Sequence, residues 1–357
     1  DASFDFKDRI SGNNNVIPAF QSYESFNLAT GYVTDDYFGM MDGNEGNLGS
    51  ADLQDVATGR YPVTSLKEAR ETIDKTLNYY ANSSLGNWRN TLTFVADDPD
   101  NDEEFILQKG LDLITEEIDE KKPAFNIKKI YADAYQQESS AGGELYPAVN
   151  EAINNAVETG TLFLDYFGHG GVNGWAAERI LEIPQIQNWN NVNNLPLFIT
   201  VTCEFTRFDN PSRLSAGEYT MWNARGGTSH LISTTREIFI REGNDFNRNL
   251  ILNLLSAEEE DYSISEVLMY TKHQSFSSQR FFVYSFGDPA MKLALPKPSI
   301  NLTKMNGIEI SKSRDTLKAL SKIKFEGIIA DQNGQLINDF NGSMSATIYD
   351  KPLDKIT

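Results

Sequence analysis

The chain has 357 residues, 40% of them hydrophobic and 11% aromatic, and carries a formal charge of −20 from 31 Lys and Arg against 51 Asp and Glu. That length exceeds one compact domain and predicts a large domain plus a smaller one, with ample apolar material for a core. So acidic a surface, uninterrupted by a basic stripe, excludes nucleic acid as a partner, and the longest apolar runs fall far short of the ~18 residues of a transmembrane span.

One cysteine, Cys203, rules out a scaffold stapled by internal disulfides. Residues Asp1 to Asp8 lack the basic start and apolar block of a signal peptide and read like mid-domain sequence, as of a chain cut from a longer protein. In chain order, Ser65-Leu66-Lys67-Glu68 is a capping box that predicts a helix to about Ala81, with Leu66, Ala69, Ile73 and Leu77 on one face. Thr91 to Ala96 then reads as a strand, Glu103 to Ile118 as a helix, Ile127 to Ala132 as a strand and Glu144 to Val157 as a helix. Strands follow at Thr161 to Phe167, Leu197 to Thr202 and Thr228 to Ser233, with helices near Gly217 to Ala224, Phe246 to Leu255 and Ile264 to His273. Alternation of buried-type strands with helices predicts an α/β fold, a mostly parallel sheet with helices on both faces.

Composition changes after Leu295, where Pro296-Lys297-Pro298 forms a stiff linker. Beyond it, short β-type runs and a hairpin turn at Asp331 to Gln335 predict an immunoglobulin-like β domain over 296–357, partial at the chain end, after a catalytic domain over 1–295.

Ligands of open α/β sheets sit beyond the C-terminal ends of the strands, so chemistry is sought there. Those ends carry Asp97 and Asp98, then Gly168-His169-Gly170-Gly171, then Cys203-Glu204, then Thr234-Thr235-Arg236. A lone strand-end cysteine by itself is a packing residue, but His169 between glycines has little packing purpose. A thiol becomes a strong nucleophile once an imidazole takes its proton and a carboxylate orients the imidazole. Cys203, His169 and one of Asp97 or Asp98, with Asp97 preferred, supply that set. The N–H groups of Gly170 and Cys203 are candidate oxyanion donors. His230, inside a strand, and His273, on a helix, read as structural or solvent-facing.

The block Leu162-Phe163-Leu164-Asp165-Tyr166-Phe167-Gly168-His169-Gly170-Gly171, followed by Pro196-Leu197-Phe198-Ile199-Thr200-Val201-Thr202-Cys203-Glu204-Phe205, resembles the strand-His-Gly and strand-Cys signature of caspase-like peptidases, and within them the gingipain branch. Tyr32-Val33-Thr34-Asp35-Asp36-Tyr37-Phe38, Gly59-Arg60-Tyr61-Pro62-Val63, Arg207-Phe208-Asp209-Asn210-Pro211 and Phe286-Gly287-Asp288-Pro289-Ala290-Met291 resemble the signal peptidases and sortases of type IX secretion. The resemblance implies an enzyme on the extracellular side of the outer membrane. Its nucleophile would be Cys203 and its base His169, and it would cleave C-terminal sorting domains from secreted cargo and pass the acyl group to water or a surface amine. Partners would be those cargo proteins and other surface components of the secretion system.

In caspase-like folds the strand after the nucleophile lines the pocket for the residue before the scissile bond. This makes Thr234, Thr235 and Arg236 candidate substrate contacts, with Glu204 beside them. No clear acidic residue in the sequence assigns an Arg or Lys preference. No cofactor is required; structural calcium, bound by similar peptidases, has oxygen-rich loops at Asp42 to Asn47 and Asp97 to Glu104, neither of EF-hand form. A general surface endopeptidase and a non-catalytic binding protein on a peptidase fold are the alternative readings.

Overall fold

The computed structural model describes residues 17–342 apart from residues 25–26, 141–142, 211, 276, 298, 313–316, 319 and 332–333. Two compact units divide the chain, residues 1–294 and 295–356.

The first unit is organised by a six-stranded sheet. Its strands are β1 (Thr91–Ala96), β2 (Asn126–Tyr131), β3 (Phe163–Phe167), β4 (Leu197–Val201), β5 (His230–Thr234) and β6 (Val283–Phe286), in the order β6-β5-β4-β3-β1-β2. All neighbours are parallel except β5 and β6, which are antiparallel. Every residue of β3, β4 and β5 is buried, as runs such as Leu197-Phe198-Ile199-Thr200-Val201 require of strands covered on both faces. The helices are α1 (Leu66–Tyr79), α2 (Ile106–Lys121), α3 (Pro147–Thr159), α4 (Ile183–Asn188), α5 (Ala216–Trp222), α6 (Ile240–Glu260) and α7 (Ile264–His273). The expected strand at Thr91 to Ala96 and helix at Ile264 to His273 coincide with β1 and α7; Phe246 to Leu255 is the middle of the longer α6. The expected series of strands did not contain β6.

The capping box that starts α1 forms, with Glu68 N–H donating to Ser65 Oγ at 3.2 Å and Ser65 N–H to Glu68 Oε2 at 3.1 Å. Its predicted inner face is wrong: Leu66, Ile73 and Leu77 are exposed, while Thr72, Lys75, Thr76 and Tyr79 are buried. The physical reason lies in α5, whose last carbonyls need donors. Lys75 Nζ reaches the Thr220 and Met221 carbonyls at 3.1 and 2.9 Å, and burial pulls its pKa down to about 7.

Asp165 sits fully buried in the middle of β3, and Asn247 of α6 donates Nδ2 to its Oδ2 at 2.8 Å. Asp165 Oδ1 and Asn247 Oδ1 have no hydrogen-bond partner, and burial pushes the carboxyl up to about 7. A proton on Asp165 satisfies both atoms as an acid–amide pair. Because the folded value exceeds the unfolded one, the stability contributed is complete below pH ~4 and is lost as pH rises through 7. Asp165→Asn, which keeps the pair without the proton, is expected to raise unfolding free energy by about 1–3 kcal/mol at pH 8 and by little at pH 4, read from urea melts at both values.

The motifs that carry the resemblance outside the strand ends are framework. Arg60 grips Asp35 through Nε and Nη2, both at 2.7 Å, and Lys272 Nζ pairs with Asp36 at 2.6 Å, all of them buried. Gly287 N–H donates to the Arg60 carbonyl at 2.9 Å, and Arg60 N–H to the Ser285 carbonyl at 3.0 Å. The three segments thus lock together beside β6. Breaking one partner of such a buried pair typically costs about 3–5 kcal/mol. His230 is structural as expected, buried with Nε2 2.7 Å from Ser285 Oγ, and burial holds its pKa down at about 3.

The second unit contains β7 (Ser299–Met305), β8 (Ile308–Glu309) and β9 (Phe325–Ala330), an antiparallel sheet in the order β8-β7-β9. Of the expected turn at Asp331 to Gln335, residues 332–333 lie outside the described residues; around them the Asp331 N–H donates to the Gln335 carbonyl and the Ile337 N–H to the Ile329 carbonyl, both at 2.9 Å. A second sheet, which an immunoglobulin-like sandwich needs, is absent among the described residues of this unit. Residues 343–357, which the expected domain includes, lie outside the described residues.

Candidate active site

His169 leaves β3 two residues beyond its last paired residue, and its backbone is held on both sides. Its N–H donates to Asp97 Oδ2 at 2.9 Å. Its carbonyl accepts from the Ala176 N–H at 2.8 Å and from the Tyr166 hydroxyl. Burial pushes Asp97 up to about 7, against the pull of His169 and with the nearby charges of Asp98 and Glu178 adding to the rise.

The imidazole meets a different carboxylate from the one expected. His169 Nε2 lies 3.4 Å from Glu104 Oε1, a close approach without an aligned hydrogen bond. Glu104 comes from the 3₁₀ turn Asp102–Phe105 ahead of α2. Its carboxylate is fixed by Asp100 N–H on Oε2 at 2.8 Å and by Asn101 Nδ2 on Oε1 at 2.6 Å. Asp97 therefore positions the histidine backbone, and Asp98 accepts from the Tyr146 hydroxyl at 3.0 Å. The carboxylate beside the imidazole is thus Glu104 rather than Asp97 or Asp98, because the Asp97 side chain is buried beneath the loop, where it reaches the peptide nitrogen of His169.

Cys203 leaves the adjacent strand at the same level. β3 and β4 are parallel with Val201 opposite Phe167, and Cys203 and His169 each follow that pair by two residues. Little room separates Thr202 from Gly170: a Cβ on Gly170 would lie 2.5 Å from Thr202 Oγ1. A φ of 50° at Glu204 turns the chain sharply after the thiol, a left-handed conformation uncommon outside glycine. Cys203 Sγ donates to the Ile238 carbonyl at 4.0 Å. Burial, then the charges of Glu237 and Glu204, push the thiol above its ordinary value, so in this arrangement it holds its proton.

Gly170 and Gly171 pair with Trp175 and Gly174 in a short hairpin. The Ala176 N–H to His169 carbonyl bond makes the adjoining Gly170–Trp175 pair the non-hydrogen-bonded kind, so the Gly170 N–H points away from its partner strand. That leaves the Gly170 N–H without a bond inside the hairpin. Gly174 holds a φ of +155°, and a Cβ there would come within 1.8 Å of the Leu181 carbonyl oxygen.

The residues expected to contact substrate are turned inward or paired. Thr234, Thr235 and Arg236 are at most 1% exposed. Thr234 Oγ1 bonds the Thr202 carbonyl, Thr235 Oγ1 the Phe282 carbonyl, and Arg236 forks onto Asp209 at 2.7 and 3.0 Å. These side chains brace the site from inside, which removes Arg236 as a partner for a substrate carboxylate. Glu204 Oε1 accepts from Arg207 Nη1 at 2.7 Å. Open space lies instead between the starts of α2 and α6: a cavity of about 380 Å³ lined by Glu103, Ile106, Ile240, Arg241 and Asp245. Its walls follow closely on Glu104, beside the imidazole, and on Ile238, beside the thiol. Sequence reading missed these residues and took Glu103 and Glu104 for part of an oxygen-rich loop.

Of the two loops read for calcium, Asp42 to Asn47 spends one of its two acidic side chains on the backbone: Glu45 accepts from the N–H groups of Asp42 and Leu53 at 3.2 and 3.1 Å. The second loop contributes to two clusters whose ligand atoms lie within 4.8 Å of one another, Asp97 with Asp98 and Glu178, and Asp100 with Glu104 and His169. The first offers only carboxylate oxygens, the donors calcium takes; the second includes a nitrogen.

A mostly parallel α/β sheet that brings one cysteine and one histidine to the ends of adjacent strands defines the class of caspase-like cysteine peptidase folds. Residues 1–294 match the model of peptidase family C25, and the chain belongs to that family, the gingipains. The crystal structure of the Arg-specific cysteine proteinase gingipain R (RgpB) is similar with a TM-score of 0.60 at 17% identity, over 77% of this chain and 63% of that one. The complex of Porphyromonas gingivalis RgpB pro- and mature domains gives 0.60 at 18%, over 76% and 63%. Dimeric latent PorU from the same organism gives only 0.36 at 17%, over 89% of this chain and 24% of that one. The chain thus spans about 63% of the gingipain structures it matches, and at these identities the likeness is one of fold. No curated protein matches the chain.

Proposed function

We propose that this chain is a cysteine endopeptidase that cleaves C-terminal sorting domains from cargo of type IX secretion at the cell surface, with Cys203 as nucleophile and His169 as base. The arrival of Cys203 and His169 at one level on adjacent parallel strands carries the reading. Glu104 faces Nε2, so Nδ1 is the ring nitrogen left for the thiol. Sγ leaves the Ile238 carbonyl, gives its proton to Nδ1, and attacks the scissile carbonyl carbon. The N–H groups of Gly170 and Cys203 hold the resulting oxyanion, and the imidazolium returns the proton to the departing amine as the C–N bond breaks. Water or an acceptor amine then opens the thioester. Neither step calls on a metal; calcium, if bound structurally, would find its oxygens on Asp97, Asp98 and Glu178.

Incubation with purified cargo that keeps its sorting domain tests this, followed by intact mass. The expected result is loss of the sorting domain, with the product heavier by the acceptor when a surface amine is supplied. Intact cargo after prolonged incubation with full-length enzyme and its surface partners would count against the reading.

One observation favours a second reading, a surface endopeptidase selective for basic residues: on the wall of the cavity beside the site the two carboxylates of Glu103 and Asp245 outnumber the single cation, Arg241. Cleavage profiling on a peptide library separates the two, since a basic-residue protease cuts after Arg or Lys irrespective of a sorting domain.

A further inference from the structure

His169, Glu104 and Asp100 form a set of donors that orientation of the imidazole does not fully explain. The approach of Nε2 to Glu104 Oε1 is 3.4 Å, too long and too poorly aligned for a hydrogen bond, and Nε2 is shielded from solvent with no partner. Two ligands held about 2.0–2.1 Å from a tetrahedral zinc ion stand about 3.4 Å apart, so the spacing suits a shared metal. The Asp100 carboxylate completes a group of three donors within 4.8 Å. Both Glu104 oxygens accept hydrogen bonds from the loop, which fixes the carboxylate in place and leaves each oxygen a further lone pair. One nitrogen with two carboxylates favours zinc over calcium, whose sites are all oxygen.

We infer that His169 Nε2, Glu104 and Asp100 form a zinc site that switches the peptidase off reversibly. Neutral imidazole carries one N–H. Zinc on Nε2 confines that proton to Nδ1, the nitrogen that must accept the thiol proton, so no base remains. Cys203 is not a ligand, which sets this site apart from direct capture of a catalytic thiol. The regulatory part rests on the proposed function; the binding part does not.

Zinc titration by calorimetry of the Cys203→Ala chain, with folding checked by circular dichroism, reads binding without activity. One saturable site is expected, weakened at least about tenfold by Asp100→Asn and lost in His169→Ala. X-ray absorption of the zinc-loaded wild type is expected to show nitrogen and oxygen neighbours and no sulfur. Absence of saturable binding, affinity unchanged by Asp100→Asn, or a sulfur in the first shell would overturn the inference. A zinc site in a chain that cleaves no cargo would retain the site and remove the proposed function; cleavage without zinc binding would do the reverse.

Discussion

Cys203→Ala is expected to abolish cargo cleavage, lowering kcat by a factor on the order of 10⁴ or more while the fold survives. Loss of a nucleophile removes the covalent route altogether and leaves only what binding and the oxyanion donors contribute. Truncation to alanine deletes one sulfur whose bond is a 4.0 Å contact with the Ile238 carbonyl, so unfolding free energy should change by no more than about 1 kcal/mol. Intact-mass assay of cargo with both proteins, beside their urea melts, gives the two numbers. Equal cleavage by both would remove Cys203 from the mechanism. A large fall in stability would instead make the thiol a packing residue.

The second large effect is a contrast between two carboxylates. Glu104→Gln keeps the shape and the bond from Asn101 but removes the charge opposite the imidazolium that forms during reaction. It should lower kcat by a factor on the order of 10² or more with KM little changed. Asp97→Asn keeps an oxygen for the His169 N–H and should retain most activity. Its effect falls on stability. Asp97 titrates at about 7 when folded, above its unfolded value, so the stability it contributes is complete below pH ~4 and lost as pH rises through 7. Asp97→Asn should therefore gain over the wild type at pH 8 and not at pH 4. Inactivity of Asp97→Asn together with normal kcat in Glu104→Gln would return the orienting role to Asp97. Steady-state kinetics on a peptide spanning the cleavage site decides it.

Buried strands were legible because Val, Ile, Phe and Leu in unbroken runs have one outcome, a sheet covered on both faces. Cys203 and His169 were legible because strand ends are where such sheets expose chemistry. The carboxylate that faces the imidazole was not. Glu104 stands in a run of acids, and nothing in the one-dimensional order distinguishes the carboxylate that curls back to the imidazole from those that meet solvent or, like Asp97, a peptide nitrogen. The inner face of α1 was misread for a related reason: apolar periodicity pointed to Leu66, Ile73 and Leu77, whereas the carbonyls ending α5 drew in Lys75. Arg236 looked like a substrate contact because its partner, Asp209, is distant in sequence and close only once the sheet has formed.

Gly170 and Gly174 also bear on how the site would respond to random mutagenesis. A methyl group at the first would strike Thr202 Oγ1 at 2.5 Å and force the histidine and cysteine segments apart; at the second it would run into backbone, 1.8 Å from the Leu181 carbonyl oxygen, and spring the hairpin. In a library screened separately for abundance and for cleavage, substitutions at Gly170 would leave soluble protein that has lost its output. Those at Gly174 would drop out of both screens. The spacing of Cys203 and His169 is thus encoded at a position that has no side chain, and a search for active-site residues by side-chain chemistry alone would pass over it.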